Sequence, residues 1–425
     1  MKKIVVNGPC RLEGEVEISG GKNAIVAILP ATVMVKGKCT IENVPQISDV
    51  LNIIEILKAM GAKVEFIDEK TVEIDCSDIS IKEVPYNYAK RLRASYYFIG
   101  SLLGRFCDAT VAMPGGCSIG LRPIDQHIKG FKQLGATVDS ERGNVHAYCD
   151  KLTGNKIYFD VVSVGATINV MIAAATADGM TVMENVAKEP HIVDVANFLN
   201  SMGANISGAG TDVIKVRGVP ELRGGSYAVI PDQIEAGTFM VAAAATHGDV
   251  TVKNVIPKHL ECITRKLTEM NVKVIEFDDY IRVIADKPIQ SASIKTMPYP
   301  GFPTDMHPQM AVLMTQADGD SRVTENIWES RFKYVDELRK LGAHIEVTGN
   351  VARIEGGTDF FAAPVRACDL RAGAAMVIAG LVASGKTYIE EIEFIERGYE
   401  NIIEKFRSLG ANIEKIEVND TERLS

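Results

Sequence analysis

A chain of 425 residues is too long for one ordinary hydrophobic core and predicts two domains of about 200 residues each. Its hydrophobic share of 46% and charged share of 24% exclude a disordered chain, and no apolar run reaches the roughly 18–20 residues a membrane-spanning helix needs. A net charge of −9 argues against a nucleic-acid partner, so any anionic ligand must be met by locally placed cations.

The opening stretch Met1-Lys2-Lys3-Ile4-Val5-Val6-Asn7 turns polar too soon for a secretory signal, and a cytoplasmic protein is expected. Next come the cysteines: Cys10, Cys39, Cys76, Cys107, Cys117, Cys149, Cys262 and Cys368 are scattered, with no CxxC pair and no Cys/His cluster at zinc spacing. They read as free thiols, most of them filling packing space, and no metal is called for.

The first punctuation is Gly20-Gly21-Lys22-Asn23-Ala24, a glycine turn with a cation leading into an Ala-rich helix. It lacks the spacing of a nucleoside triphosphatase phosphate loop and is a weak signal alone. That helix stops at Gly37-Lys38, a strand containing Thr40-Ile41 follows, and Val50, Leu51, Ile53, Ile54 and Leu57 mark an amphipathic helix. The helix ends on Met60-Gly61-Ala62-Lys63-Val64, where the glycine reads as a C-cap turning the chain into a strand. The same phrase returns at Leu134-Gly135-Ala136, Met202-Gly203-Ala204, Leu341-Gly342-Ala343 and Leu409-Gly410-Ala411, with a degenerate copy at Met270-Asn271-Val272. Successive copies lie 74, 68, 68, 71 and 68 residues apart. The chain is therefore six units of about 70 residues, each reading strand, Ala-rich helix, strand, amphipathic helix, strand. The later Ala-rich helices are expected to stop at Gly104-Arg105, Asp178-Gly179, His247-Gly248-Asp249, Asp318-Gly319 and Ser384-Gly385-Lys386.

Segments 166–177 and 236–246 are nearly apolar all round, the composition of a helix surrounded by protein. Six units divide into two similar domains of three, with Ala-rich helices inside, sheets and amphipathic helices outside, and a cleft between them as the default binding site. Aligned on their helix starts, the units bring Asn23, Arg93, Gly165, Glu235, Asp305 and Arg371 to equivalent positions, 70, 72, 70, 70 and 66 residues apart. Helix N-termini suit phosphate and carboxylate. Asn23 and Asp305 also fit a simple N-cap role. Arg93 and Arg371 do not, because a cation there opposes the helix dipole, and an anion is expected beside them.

Between Thr110 and Gly135 the second unit spends 25 residues, more than its siblings spend on the same stretch. The excess lies in Met113-Pro114-Gly115-Gly116-Cys117-Ser118-Ile119-Gly120-Leu121-Arg122-Pro123. Loops longer than a scaffold requires are often functional, and a thiol flanked by glycines with an arginine nearby has the makings of a reactive group.

With these residues in view, the whole chain resembles the UDP-N-acetylglucosamine enolpyruvyl transferases of bacterial peptidoglycan synthesis. The resemblance rests, in order, on Gly20–Ala24, Pro114–Cys117, Gly120–Asp125, Ser163–Thr167, Phe302–Met306, Glu329–Phe332, Asp369–Ala372 and Arg397–Glu400. It implies the two-domain inside-out α/β barrel built from six repeats, three per domain. Residues 22–230 would form the first domain, and 1–21 with 231–425 the second. It implies transfer of an enolpyruvyl (1-carboxyvinyl) group from phosphoenolpyruvate to the 3-hydroxyl of UDP-N-acetylglucosamine, the first committed step of a pathway that governs cell wall, cell shape and division. Two small-molecule substrates follow, with no cofactor, no membrane and no obligate protein partner.

Carried over by motif, Lys22, Arg93, Arg122 and Arg397 would hold the phosphate and carboxylate of phosphoenolpyruvate, with Arg331 and Arg371 nearby. Asp305 would take the proton of the sugar hydroxyl, and Cys117 would protonate carbon-3 and also form a covalent adduct; Lys22 and Arg397 complete the catalytic set. UDP-N-acetylglucosamine would be met by Asn23, Arg93, Arg122, Pro123, Ile124, Asp125, Gln126, Ser163, Val164, Gly165, Asp305 and Ile327. Ile124, Val164 and Ile327 are equally natural as core residues. Three departures stand out: Val161 where the family often has lysine, Gln233 in Pro231-Asp232-Gln233-Ile234-Glu235, and Phe394-Ile395-Glu396 before Arg397. The alternatives are 5-enolpyruvylshikimate-3-phosphate synthase, a paralogue with an altered acceptor, a UDP-sugar-binding regulator and a ring-like scaffold. The first opens with a different turn and lacks a Cys117-type loop. The last has no reason to place single charges at apolar helix ends.

Overall fold

The computed structural model describes residues 2–84, 86–89, 93–112, 123–141 and 143–417. They form two compact units: 2–19 with 231–417, and the described residues of 20–112 with 123–230. Cys117 and Arg122 lie outside the described residues.

Each unit is built around three apolar helices. In one they are Lys22–Ala31, Tyr97–Phe106 and Val164–Ala174; in the other, Gln233–Ala245, His307–Thr315 and Leu370–Val382. From Ala166 to Ala174 and from Ile234 to Ala245 every residue is buried, so these helices are interior on all sides. Small residues let them approach closely. A Cβ on Gly100 would lie 2.3 Å from the Asn169 carbonyl oxygen, and Asn169 stitches the contact by accepting from Gly100 N–H at 2.7 Å and donating to the Tyr96 carbonyl at 2.8 Å.

Among the described residues six sheets flank these helices, five of four strands and one of three. In Lys156–Tyr158, Met180–Glu184, Asn205–Ser207 and Val213–Arg217 the first two strands, either side of the central helix, pair in parallel, and an antiparallel hairpin completes the sheet. The hairpin's return strand is an element that the sequence pattern does not suggest; in the first copy it is the short strand Val72–Asp75.

Two strands cross over in the pairing. Glu13–Glu17, which precedes the Lys22–Ala31 helix, pairs in parallel with Asp249–Lys253, while Leu222–Ala228 pairs in parallel with Val35–Glu42. Lys2–Gly8 lies antiparallel between Gly385–Glu390 and Ile413–Glu417, taking the place of the last unit's return strand.

The repeat glycines are where the backbone requires them. Gly61, Gly135, Gly203, Gly342 and Gly410 have φ between 91° and 103°, and the degenerate copy keeps the left-handed turn with Asn271 at 68°. Asparagine is the side chain that best tolerates this region, and Asn271 adds a hydrogen bond to the Pro288 carbonyl at 3.0 Å. The turn expected at Gly104-Arg105 falls instead at Cys107, φ 55°. Gly104 stays inside its helix, where a Cβ would strike Met34 at 2.7 Å.

Candidate active site

In the unit containing 231–417, the three central helices pack side by side, and their starts carry charged residues in two different ways. Asp232 caps the first, accepting from Ile234 N–H at 2.8 Å and Glu235 N–H at 3.0 Å. Asp369 caps the third, accepting from Arg371 N–H at 2.8 Å and Ala372 N–H at 3.1 Å. The second is led in by the 3-10 turn Thr304–Met306, and its N-cap position is held by Met306. Neither Asp305 nor Asn23 is therefore an N-cap; Asn23 is the second residue of its helix. The capping is done by aspartates directly before two of the helices, a signal present in Pro231-Asp232 and Asp369-Leu370.

Asp305 is bracketed by two guanidinium groups. Arg331 Nη2 lies 3.4 Å from Oδ1 and Arg371 Nε lies 3.2 Å from Oδ2, with both arginine side chains 2% exposed and the carboxylate 29% exposed. The anion expected beside Arg371 is thus, in part, Asp305 itself. Burial opposes the charge of Arg371, but Tyr399, Asp305 and Asp232 outweigh it and raise the guanidinium above its ordinary value. Arg371 Nη1 and Nη2, and Arg331 Nε, are buried without a well-aligned hydrogen bond. Such donors are suited to an anionic ligand.

Beside Arg371, two of the three helices and the segment of Tyr399 are laced by a buried polar triangle. The Thr238 hydroxyl is 2.9 Å from the Tyr399 hydroxyl, and Gln309 Nε2 donates to Thr238 at 3.1 Å and to Tyr399 at 3.3 Å. The Arg371 guanidinium carbon sits 5.3 Å from the centre of the Tyr399 ring. Burial pushes the Tyr399 hydroxyl up. Arg397, half-buried, follows the short helix Glu393–Glu396 just before this tyrosine. Ile327 is half-buried, with its N–H bound to Glu325 at 2.7 Å, so it belongs to a positioned loop rather than the core.

In the other unit, Lys22 opens its helix directly after Gly20-Gly21. Gly20 is required by packing, since a Cβ there would lie 1.8 Å from the Asn43 carbonyl oxygen. Lys22 Nζ is 3.0 Å from Asp49 Oδ2, with side chains 13% and 4% exposed. No sequence signal marks Asp49, which reads as an ordinary acid in a helix's first turn. Arg93 begins the 3-10 turn Arg93–Tyr96 that leads into Tyr97–Phe106.

Ser163 caps the Val164–Ala174 helix, its hydroxyl accepting from Ala166 N–H at 3.3 Å. Gly165, second in that helix, leaves room for two rings: a Cβ would lie 2.9 Å from both His127 Nε2 and the Tyr96 hydroxyl. Burial pushes the His127 imidazole down to about 4, so it is neutral, and neither ring nitrogen has a hydrogen-bond partner. Gln126 holds the adjoining segment, donating to Asp125 at 2.8 Å and accepting from Asp160 N–H at 3.0 Å, while Lys129 pairs with Asp160 at 2.7 Å. Pro123 and Asp125 are exposed, Ile124 is in the core, and Val164 is half-buried. Val161 is 58% exposed, an apolar surface where the resemblance led one to look for lysine.

The structure thus brings Asp305, Arg331 and Arg371 together in one unit, and Asp125, Gln126, Ser163 and Gly165 onto neighbouring segments of the other. Among the described residues no group of three or more His, Cys, Asp or Glu could hold a metal. Residues 6–406 match the family described as EPSP synthase (3-phosphoshikimate 1-carboxyvinyltransferase). A Clostridium botulinum protein named UDP-N-acetylglucosamine 1-carboxyvinyltransferase is 59% identical over 417 residues, spanning 98% of this chain and 100% of the relative. Among solved structures, the enolpyruvyl transferase NikO from Streptomyces tendae superimposes with a TM-score of 0.90 at 25% identity, covering 98% of this chain and 99% of that one. An EPSP synthase from Acinetobacter baumannii gives 0.76 at 18% identity, covering 98% and 100%, a likeness of fold.

Proposed function

The chain belongs to the EPSP synthase family of carboxyvinyltransferases, and from that premise we propose that it transfers the enolpyruvyl group of phosphoenolpyruvate to the 3-hydroxyl of UDP-N-acetylglucosamine, releasing phosphate. The observation that carries the choice of acceptor is the full-length 59% identity to a relative named for that reaction. Peptidoglycan synthesis, and with it cell-wall biogenesis and cell shape, is the process this reaction serves. No helix among the described residues is long and apolar enough to cross a membrane, and a cytoplasmic enzyme is the reading that goes with these substrates.

In this reading Asp305 accepts the proton of the 3-hydroxyl as the sugar oxygen bonds to carbon-2 of the enolpyruvate, and Cys117 delivers a proton to carbon-3. Loss of a proton from carbon-3 then expels phosphate from carbon-2 and restores the double bond. Arg331 and Arg371 support this role by gripping Asp305 from both sides, which leaves the carboxylate little rotational freedom, as a positioned base requires. Lys22, Arg93, Arg122 and Arg397 hold the phosphate and carboxylate of phosphoenolpyruvate, and the unpartnered nitrogens of Arg371 and Arg331 add donors. Asn23, Pro123–Gln126, Ser163–Gly165 and Ile327 meet the UDP-sugar. The steps are acid–base, addition and elimination chemistry and need no cofactor.

The experiment is phosphate release from phosphoenolpyruvate with UDP-N-acetylglucosamine, with shikimate-3-phosphate and with neither, for the native chain and Cys117→Ala. Release that requires the UDP-sugar and falls by on the order of 100-fold or more in the variant is expected. Release with the shikimate phosphate instead, or undiminished release in the variant, overturns the acceptor or the role of Cys117 respectively.

A further inference from the structure

Glu325 is a buried carboxylate that the steps above leave unused. Its side chain is 0% exposed. Oε1 accepts from the backbone N–H groups of Ile327 at 2.7 Å and Trp328 at 3.0 Å, and Oε2 accepts from the Thr304 hydroxyl at 2.9 Å. Oε2 also lies 3.3 Å from His307 Nδ1, near but poorly aligned for a hydrogen bond, and His307 Nε2 is 2.8 Å from the Tyr334 hydroxyl. Asp305 sits between Thr304 and His307, and Tyr334 closes the 3-10 turn that Arg331 opens. One carboxylate therefore reaches the turn of the base, the segment of Ile327 and, through His307, the turn of Arg331.

The repeat shows that the scaffold does not demand this burial. The strand after the central helix ends on Glu42, Glu184, Lys253 or Glu390 in four of the units, and in a fifth, Ser321–Thr324, the equivalent Glu325 comes directly after it. Glu42 and Lys253 are exposed, while Glu184 and Glu390 make partly exposed pairs with Lys156 at 2.9 Å and Lys3 at 2.8 Å. The next residue is left-handed at Asn43, Asn185, Asn254 and Glu391, φ 56° to 58°, whereas Asn326 is not among the left-handed positions. The altered turn sends Glu325 inward. Burying a carboxylate costs several kcal/mol unless its partners compensate. Here burial would raise the carboxyl, but its contacts with His307 and the amides of Ile327 and Trp328 outweigh it and hold it below its ordinary value, while burial pushes the His307 imidazole down.

We propose that Glu325 is a positioning residue for the acceptor, locking the Asp305 turn and the Ile327 segment in fixed relation so that the sugar hydroxyl and its base are presented together. This rests on the enolpyruvyl-transfer reading and on Asp305 as base.

The test is steady-state kinetics with each substrate varied, for the native chain, Glu325→Gln, Glu325→Ala and Thr304→Val, with thermal midpoints alongside. Glutamine keeps the length and an acceptor for both amides, so a drop of about tenfold in kcat/KM is expected, against on the order of 100-fold for alanine. In both, KM for UDP-N-acetylglucosamine should rise while KM for phosphoenolpyruvate stays within about twofold. Thr304→Val cuts only the base side and should lower kcat with little change in either KM. Should the alanine variant not fold, the glutamine and valine variants decide. Unchanged constants in folded variants, or equal movement of both KM values, overturn the positioning role. A native chain without UDP-sugar-dependent turnover overturns the functional reading itself, and with it this one.

Discussion

The two units grow from one repeat, yet their helix starts are finished differently. In the unit with residues 231–417, Asp232 and Asp369 each satisfy two backbone N–H groups, and Asp305 is clasped by Arg331 and Arg371. In the other unit the helices starting at Lys22 and Tyr97 have no side-chain cap, and Ser163 offers a single bond of 3.3 Å. An end already closed by carboxylates has its donors and dipole satisfied, which suits a fixed base. An uncapped end keeps its N–H groups for a ligand's oxygens. Duplication supplied six equivalent positions, and one unit caps two of its three helix starts with aspartates where the other caps one with a serine.

The contrast is sharpest at Asp305. Asp305→Asn keeps the shape and should lower kcat by roughly 10²–10⁴-fold, the range for a lost general base. Asp305→Ala should in addition cost about 3 kcal/mol, because two buried guanidinium groups lose a shared counter-charge. Phosphate-release kinetics and denaturant unfolding measure the two effects separately. An asparagine variant with native kcat would reduce Asp305 to a structural partner of the arginines.

In the other unit the corresponding test is Asp49→Asn. Asp49 holds Lys22 at 3.0 Å in a nearly buried pair, so its neutralisation should raise KM for phosphoenolpyruvate about tenfold and cost about 2–3 kcal/mol. If KM for phosphoenolpyruvate is untouched while stability falls, the pair is a strut and Lys22 is held by something else.

What could be read from the chain alone follows from how local each determinant is. The turns at Gly61 and its repeats, and at Asn271, were legible because a left-handed φ is a property of one residue. The buried helices were legible because their composition is apolar on every side. The alignment of Asn23, Arg93, Gly165, Glu235, Asp305 and Arg371 located the helix starts, but it could not tell a cap from a neighbour of a cap. Asp232 and Asp369 do the capping. The crossover of Glu13–Glu17 and Leu222–Ala228 leaves no trace in spacing, since either pairing preserves the 70-residue period. Asp49 and Glu325 were invisible for a related reason. Each becomes a site residue through burial that spacing does not reveal, Asp49 against Lys22 and Glu325 through one turn that departs from its siblings.

That crossover also sets up the smallest and most specific contrast. Each exchanged strand is followed by a backbone N–H bound to a buried carboxylate: Ser19 N–H to Glu235 at 2.9 Å, and Ile230 N–H to Asp194 at 3.3 Å. Glu235 has a lysine partner, Lys405 at 2.6 Å. Asp194 has the Tyr227 hydroxyl at 2.5 Å, and burial drives its carboxyl from about 3.8 up to about 6. A carboxyl raised on folding lends its stability below its unfolded value and withdraws it as pH rises through the folded one. Native stability should therefore lose about 2 kcal/mol of this contribution between pH 4 and pH 7. Asp194→Asn cannot ionise, so its advantage over the native chain should grow by that amount across the same window in denaturant unfolding. Parallel pH profiles for the two proteins would mean that Tyr227 and Ile230 N–H already keep Asp194 ionised in the fold, and that a neutral hydroxyl serves one unit as well as Lys405 serves the other.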